Sequence, residues 1–237
     1  MASFQTSARR LSPFHHKQAS LGATFTVNQF GWAQAEQFTN SANEKKAAEL
    51  GVGIADLSHL TKLSLNGLGL SQVISERYGA STGDVRGRVL TGGRGVFKDA
   101  WCAISGVDEG IIVCNESLKE EVIKDLAASN ASHFTTVDVS SVFAGCCLLG
   151  PSGRALLRKL TELNVNPEDF PNLSAAHTPI RHVPTIILRN DLGSMIAYQL
   201  YFERAYAEYF WDVIFTSGKE LGIAPIGSSA MQLLGFS

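Results

Sequence analysis

Strand-like runs in this chain come in pairs between helical segments, and that pairing restricts it to an α+β fold with mainly antiparallel sheets. Thr61 to Leu65 alternates as a strand and stops at Asn66-Gly67, a turn signal. Val96 to Ser105 is followed by Gly110 to Asn115, His133 to Val139 by Phe143 to Leu149, and Ile180 to Arg189 by Met195 to Phe202. The last pair reads as a hairpin around Asp191-Leu-Gly-Ser194. Helices are expected at Asn43 to Leu50, at Leu70 to Tyr78 before Gly79, and from a capping box at Ser117-Leu-Lys-Glu120. Further helices are expected at Pro151 to Leu163, at Ala205 to about Ser217, and at the end of the chain. Residues 1 to about 12 form a loose head, and Asn164 to Pro179 a loop or seam.

Bulk properties exclude several classes of function. With 237 residues, 45% hydrophobic and 18% charged, the chain has ample core for one large domain or two smaller ones. A net charge of −2 leaves no electrostatic footprint for nucleic acid or an anionic membrane. Arg9, Arg10, His15 and His16 precede no apolar stretch, so the head reads as neither secretion signal nor anchor. Cys102, Cys114, Cys146 and Cys147 lie in apolar runs without a Cys-x-x-Cys pair, which points to buried free thiols and a cytoplasmic location. His15-His16 and His177/His182 lack metal-site spacing, so no metal is expected.

The residue with most chemistry in it is Asp99. In a continuous strand over Val96 to Ser105, Phe97, Asp99, Trp101 and Ala103 share a face. An acid buried between two aromatics needs a partner to offset its desolvation, either a structural donor or a cationic ligand.

Several segments together resemble the aminomethyltransferase (T-protein) family of the glycine cleavage system and its folate-dependent relatives. Ser12-Pro-Phe-His-His-Lys17 and Phe30-Gly-Trp32 look like the family's opening, and Gly53-Ile-Ala-Asp-Leu-Ser-His-Leu60 its Asp-Val-Ser-His-Met stretch. Gly95-Val-Phe-Lys-Asp99 is similar to its Gly-Gly-Ile-x-Asp-Asp segment, Cys114-Asn115 to its Val-Asn, and Leu149-Gly-Pro151 to its Gln-Gly-Pro. In length the chain is nearest the gamma-type subunit of sarcosine oxidase. The resemblance implies a T-protein-like N-terminal fold of two α/β subdomains, 1–55 with 140–237 and an inserted 56–139, the C-terminal barrel being absent. It also implies a tetrahydrofolate pocket in which Asp99 holds positive charge as a one-carbon unit passes between nitrogens. Asn115 then accompanies Asp99, Trp101 and Phe97 are stacking walls, and Gln199 stands where the family's glutamate grips the pterin.

The departures weaken that pocket. Lys98 replaces the first aspartate, Gln199 offers one neutral acceptor in place of two charged ones, and Ser229 occupies the arginine position. His59, without an evident acidic partner, reads as support for the fold. The leading expectation is one-carbon transfer from a small-molecule methyl or aminomethyl donor. The alternative is a non-catalytic subunit or scaffold that joins a larger protein subunit, and a third is a demethylase acting on oxygen or sulfur.

Overall fold

A computed structural model describes residues 10–236, so most of the expected loose head lies outside the described residues. The chain opens with β1 (Arg10–Leu11), α1 (His15–Ser20), β2 (Thr24–Val27), β3 (Trp32–Gln37) and α2 (Ser41–Leu50). β4 (Val52–Asp56) crosses to β5 (Thr61–Asn66), and α3 (Leu70–Tyr78), α4 (Thr82–Val85), β6 (Arg88–Leu90), β7 (Ala100–Ile104) and β8 (Glu109–Cys114) follow. After α5 (Lys119–Ala127) and β9 (Thr135–Asp138) the chain returns through β10 (Phe143–Leu149) and α6 (Gly153–Leu160). β11 (Ala175–Ile180), β12 (Val183–Arg189), β13 (Ala197–Glu203), α7 (Ala207–Gly218), β14 (Ile223–Pro225) and α8 (Ser228–Leu233) complete it.

Three sheets result, ordered β1-β3-β2, β11-β12-β13-β10-β4-β14 and β6-β7-β8-β5-β9. All pairings are antiparallel except β1 with β3 and β14 with β4. None of these sheets closes into a barrel.

Alternation along the strands builds three cores. On β10 and β13, Ala144, Cys146, Leu148, Tyr198, Leu200 and Phe202 face α6 and α7. Cys147, Leu149, Ala197 and Tyr201 turn the other way, onto Ala103, Ile111 and Val113 of the five-stranded sheet. That sheet's far face, with Cys102, Ile104, Ile112 and Cys114, is covered by Val73 and Ile74 of α3 and Val122 and Leu126 of α5. Both large sheets are therefore buried on both faces, which is why Phe143–Leu149 reads as an unbroken apolar run. All four cysteines are buried free thiols, and burial pushes each thiol pKa up.

Three local expectations are corrected. Gly95–Asp99 is a 3-10 turn and the strand starts only at Ala100, because Gly95 takes φ +58° and breaks the extended run. No capping box opens α5 at Ser117: Asn115 caps a 3-10 turn at Glu116–Leu118, its Oδ1 accepting from the Ser117 N–H, and α5 follows from Leu118 without a side-chain cap. The segment read as a loop contains β11, an edge strand whose Pro179 pairs opposite Pro184. β1, β2, β3, β4, β6 and β14 are additional strands.

Candidate functional site

The chain passes between the two large sheets twice, at 57–60 and at 139–142, and the first passage is knotted by its own side chains. Asp56 Oδ1 accepts the Ser58 N–H at 2.8 Å, an Asx-type turn, while Oδ2 accepts from Gln18 Nε2 of α1 at 3.0 Å. Ser58 Oγ exchanges hydrogen bonds with the backbone of Gly145 on β10. Lys62 is fully buried, and its Nζ donates to the Ser58 carbonyl at 2.8 Å. Burial pulls its pKa down to about 8 against the opposing pull of Asp56, Asp138 and Glu116. His59, between them, is lowered to about 4, first by burial and also by Lys62, with Asp56 and Glu116 opposing. It is therefore a neutral imidazole at physiological pH.

Around this knot lie three hollows that share Asn115. One of about 440 Å³ is lined by Asp99, Lys98, Trp101, Leu60 and Ser117 besides Asn115. A second, of about 180 Å³, is lined by Asp56, His59, Leu60, Gln34 and the α8 side chain Met231. A third, of about 340 Å³, is lined by His59, Gln34, Phe30 and Glu116. The α8 wall is anchored by the buried Glu44, whose carboxylate accepts the N–H groups of Phe38, Thr39 and Gly227 at 2.7, 2.8 and 2.8 Å. Gly227 is required there, since a Cβ would sit 2.0 Å from the Glu36 carbonyl oxygen.

Three of the five residues singled out by sequence, Asp99, Asn115 and Trp101, line the hollow of about 440 Å³ together. Asp99 is exposed at its edge rather than buried, because the 3-10 turn lifts it out of the sheet. Phe97 does not join them. It is 1% exposed and packs against Tyr78 in the core on the opposite face of the sheet from Trp101, so it presents no wall to the hollow. Gln199 lies between the sheets, and its Oε1 accepts both the Trp101 indole N–H at 3.2 Å and the Tyr201 hydroxyl at 2.7 Å. Its acceptor is thus engaged by two protein donors, one of them the Trp101 indole. Asn115 uses its Oδ1 on the backbone N–H and hydroxyl of Ser117.

Sequence reasoning passed over Asp56, His59 and Lys62 as a unit. The three-residue spacing carried the signal, but only the turn at Asp56 brings the imidazole, the buried amine and the acid within electrostatic range. Among the described residues no group of three or more His, Cys, Asp or Glu side chains is arranged to hold a metal ion. No helix among them is long and apolar enough to cross a membrane.

Known proteins resemble this chain in sequence and in fold. The sequence model of the GCVT N-terminal domain matches residues 14–236. An aminomethyltransferase of Parafrankia sp. is 29% identical over 237 residues, covering 95% of this chain and 62% of the relative. One from Halothermothrix orenii is 23% identical over 229 residues, covering 94% and 63%. The chain thus spans less than two thirds of the length of these relatives. The glycine cleavage system aminomethyltransferase T from Bartonella henselae superposes with a TM-score of 0.78 at 14% identity, covering 95% of this chain and 61% of that one. A chain of the heterotetrameric sarcosine oxidase from Corynebacterium sp. U-96 superposes at 0.64 and 18% identity, covering 91% and 97%. At those identities the two structures speak for the fold alone. The match over residues 14–236 goes further: this chain belongs to the GCVT N-terminal domain family.

Proposed function

We propose that the joined hollows around Asn115 bind a reduced folate, tetrahydrofolate, and that the protein takes part in moving a one-carbon unit from a small methyl or aminomethyl donor. The observation that carries this reading is an open carboxylate, Asp99, beside the half-buried Trp101 in one hollow of about 440 Å³. The Asp99 side chain has no ion pair among the described residues, so its charge is available to a ligand. Those residues fit the nitrogen-bearing side of the cofactor: an acid for positive charge, an indole for a flat ring, and the Asn115 amide for a polar edge. The bound cofactor supplies the nitrogens that accept the one-carbon unit. Asp99 stabilises positive charge as it develops and is positioned beside the indole that Gln199 holds. We further take 1–55 with 140–237 and 56–139 as its two subdomains, and a cytoplasmic setting in line with four buried free thiols. Calorimetry with tetrahydrofolate tests the reading: binding by the wild-type protein, weakened at least tenfold in Asp99→Asn, supports it. No binding at millimolar ligand overturns it.

A second reading is favoured by two observations. The Gln199 acceptor is consumed inside the protein, and the fold matches nearly all of a chain from a heterotetrameric oxidase. Under it the protein is a subunit or scaffold that co-purifies with a larger chain and shows no turnover alone. A monomer from its native source, free of partners, counts against this.

A further inference from the structure

The hollow of about 440 Å³ has two ionisable residues in its lining, and they carry opposite charges. Lys98 and Asp99 are neighbours in the chain, at the end of the 3-10 turn that leads into β7. Phe97 before them and Ala100 after them are buried, so the backbone of the charged pair is fixed at both ends. Their own side chains are exposed. Among the described residues neither has an ion-pair partner, and they do not pair with each other. The rest of the wall is uncharged. Asn115 and Ser117 contribute polar atoms, and Leu60 and the half-buried Trp101 contribute apolar surface.

Two opposite, unpaired charges side by side make a dipolar wall. A ligand with one positive charge is attracted by Asp99 and repelled by Lys98, and a singly negative ligand meets the reverse. A ligand that carries both charges gains at both ends, through two charge-assisted contacts. Consecutive Cα atoms are about 3.8 Å apart, so the ligand's own charges must also lie close together, as the amine and carboxylate of an amino acid do. In a reduced folate the aromatic spacer holds the terminal carboxylates away from the ring nitrogens, so one folate molecule does not serve both residues in this way.

We propose that this hollow selects the one-carbon donor as a short zwitterion, an N-alkylated amino acid, with its ammonium on Asp99 and its carboxylate on Lys98. This rests on reading the hollow as the ligand site, and it names the class of donor that site takes. Lys98 is then a specificity-determining residue, and the indole of Trp101 offers a face to the alkylated ammonium.

Calorimetry on the full chain at pH 7 tests this with N-methylglycine and with N-methylglycinamide, which keeps the amine and lacks the carboxylate. The wild-type protein should bind the acid at least tenfold more tightly than the amide, a comparison that needs no variant. Lys98→Met should abolish that preference by weakening the acid alone, Lys98→Arg should keep it, and Asp99→Asn should weaken both amines. No preference in the wild type, or one that survives in Lys98→Met, overturns the proposal. So does a Lys98→Met variant whose one loss is tetrahydrofolate affinity, with binding of a tetrahydropterin lacking the glutamate tail unaffected; Lys98 then holds the folate tail. A protein that binds tetrahydrofolate and neither amine at tens of millimolar overturns the proposal and leaves the folate reading standing. One that shows the preference and binds no tetrahydrofolate supports the zwitterion site and removes the folate reading.

Discussion

Asp56 and Asp99 are the same residue type and line two hollows that share Asn115, yet they are prepared in opposite ways. Asp56 is half-buried and both its oxygens are occupied, by the Ser58 N–H and the Gln18 amide, with Lys62 near enough to feel its charge. Asp99 stands exposed at the end of a 3-10 turn with no ion pair among the described residues. The first acid spends its charge on shape, and the second has no ion pair or side-chain hydrogen bond among the described residues. A buried carboxylate is thus no better candidate for chemistry than an open one; what matters is whether its acceptors are already taken.

The comparison can be broken most readily at Asp56. Asp56→Ala removes two hydrogen bonds and leaves Lys62 short of a counter-charge, so stability should fall by about 3–4 kcal/mol, read from urea unfolding. A loss under about 1 kcal/mol would mean the knot is not held by this acid.

Acid titration probes the same knot through His59. The unfolded chain takes up this proton near 6.5, whereas the folded chain resists it until about 4. Between those values the unfolded state carries more protons, so stability is present above pH 6.5 and is lost as pH falls to 4, by about 3 kcal/mol in all. His59→Gln should flatten that slope of stability against pH. An unchanged slope would assign acid sensitivity to other groups.

Trp101→Phe tests the join between the sheets. It keeps an aromatic wall but removes the indole donor to Gln199, and should cost about 1 kcal/mol by thermal or urea unfolding.

The smallest stability effect belongs to Asp99→Asn, within about 0.5 kcal/mol of wild type, because among the described residues no ion pair or side-chain hydrogen bond involves that carboxylate. Paired with its expected tenfold loss of ligand affinity, this gives the sharpest contrast with Asp56. If Asp99→Asn destabilised the protein as strongly as Asp56→Ala, the two acids would not differ as described.

Much of the architecture was legible because it rests on local rules. Leu70–Tyr78 ends at Gly79 in the left-handed region, as a helix stopped by glycine should. Phe143–Leu149 is a strand in full. The segment at 95–99 was misread because its composition suits a strand, and a single residue with positive φ converted it into a 3-10 turn. That one change of local geometry sent Phe97 to one side of the sheet and Trp101 to the other. The box expected at Ser117 was misread for a similar reason: Asn115 and Ser117 both qualify as caps by type, and Asn115 caps a 3-10 turn ahead of the helix.

The family resemblance grouped Asp99, Asn115, Trp101, Phe97 and Gln199, whereas from residue order alone came the α+β class, the antiparallel pairing and the buried thiols. These follow from periodicity, turn chemistry and motif order, which are carried within short windows of the chain. Only the tertiary structure decided that Gln199 serves Trp101, that Phe97 is core, and that Asp56, His59 and Lys62 form one electrostatic unit. Those outcomes depend on which faces two sheets turn toward each other and on how water is excluded between them. Neither is written in any stretch of sequence shorter than the fold itself.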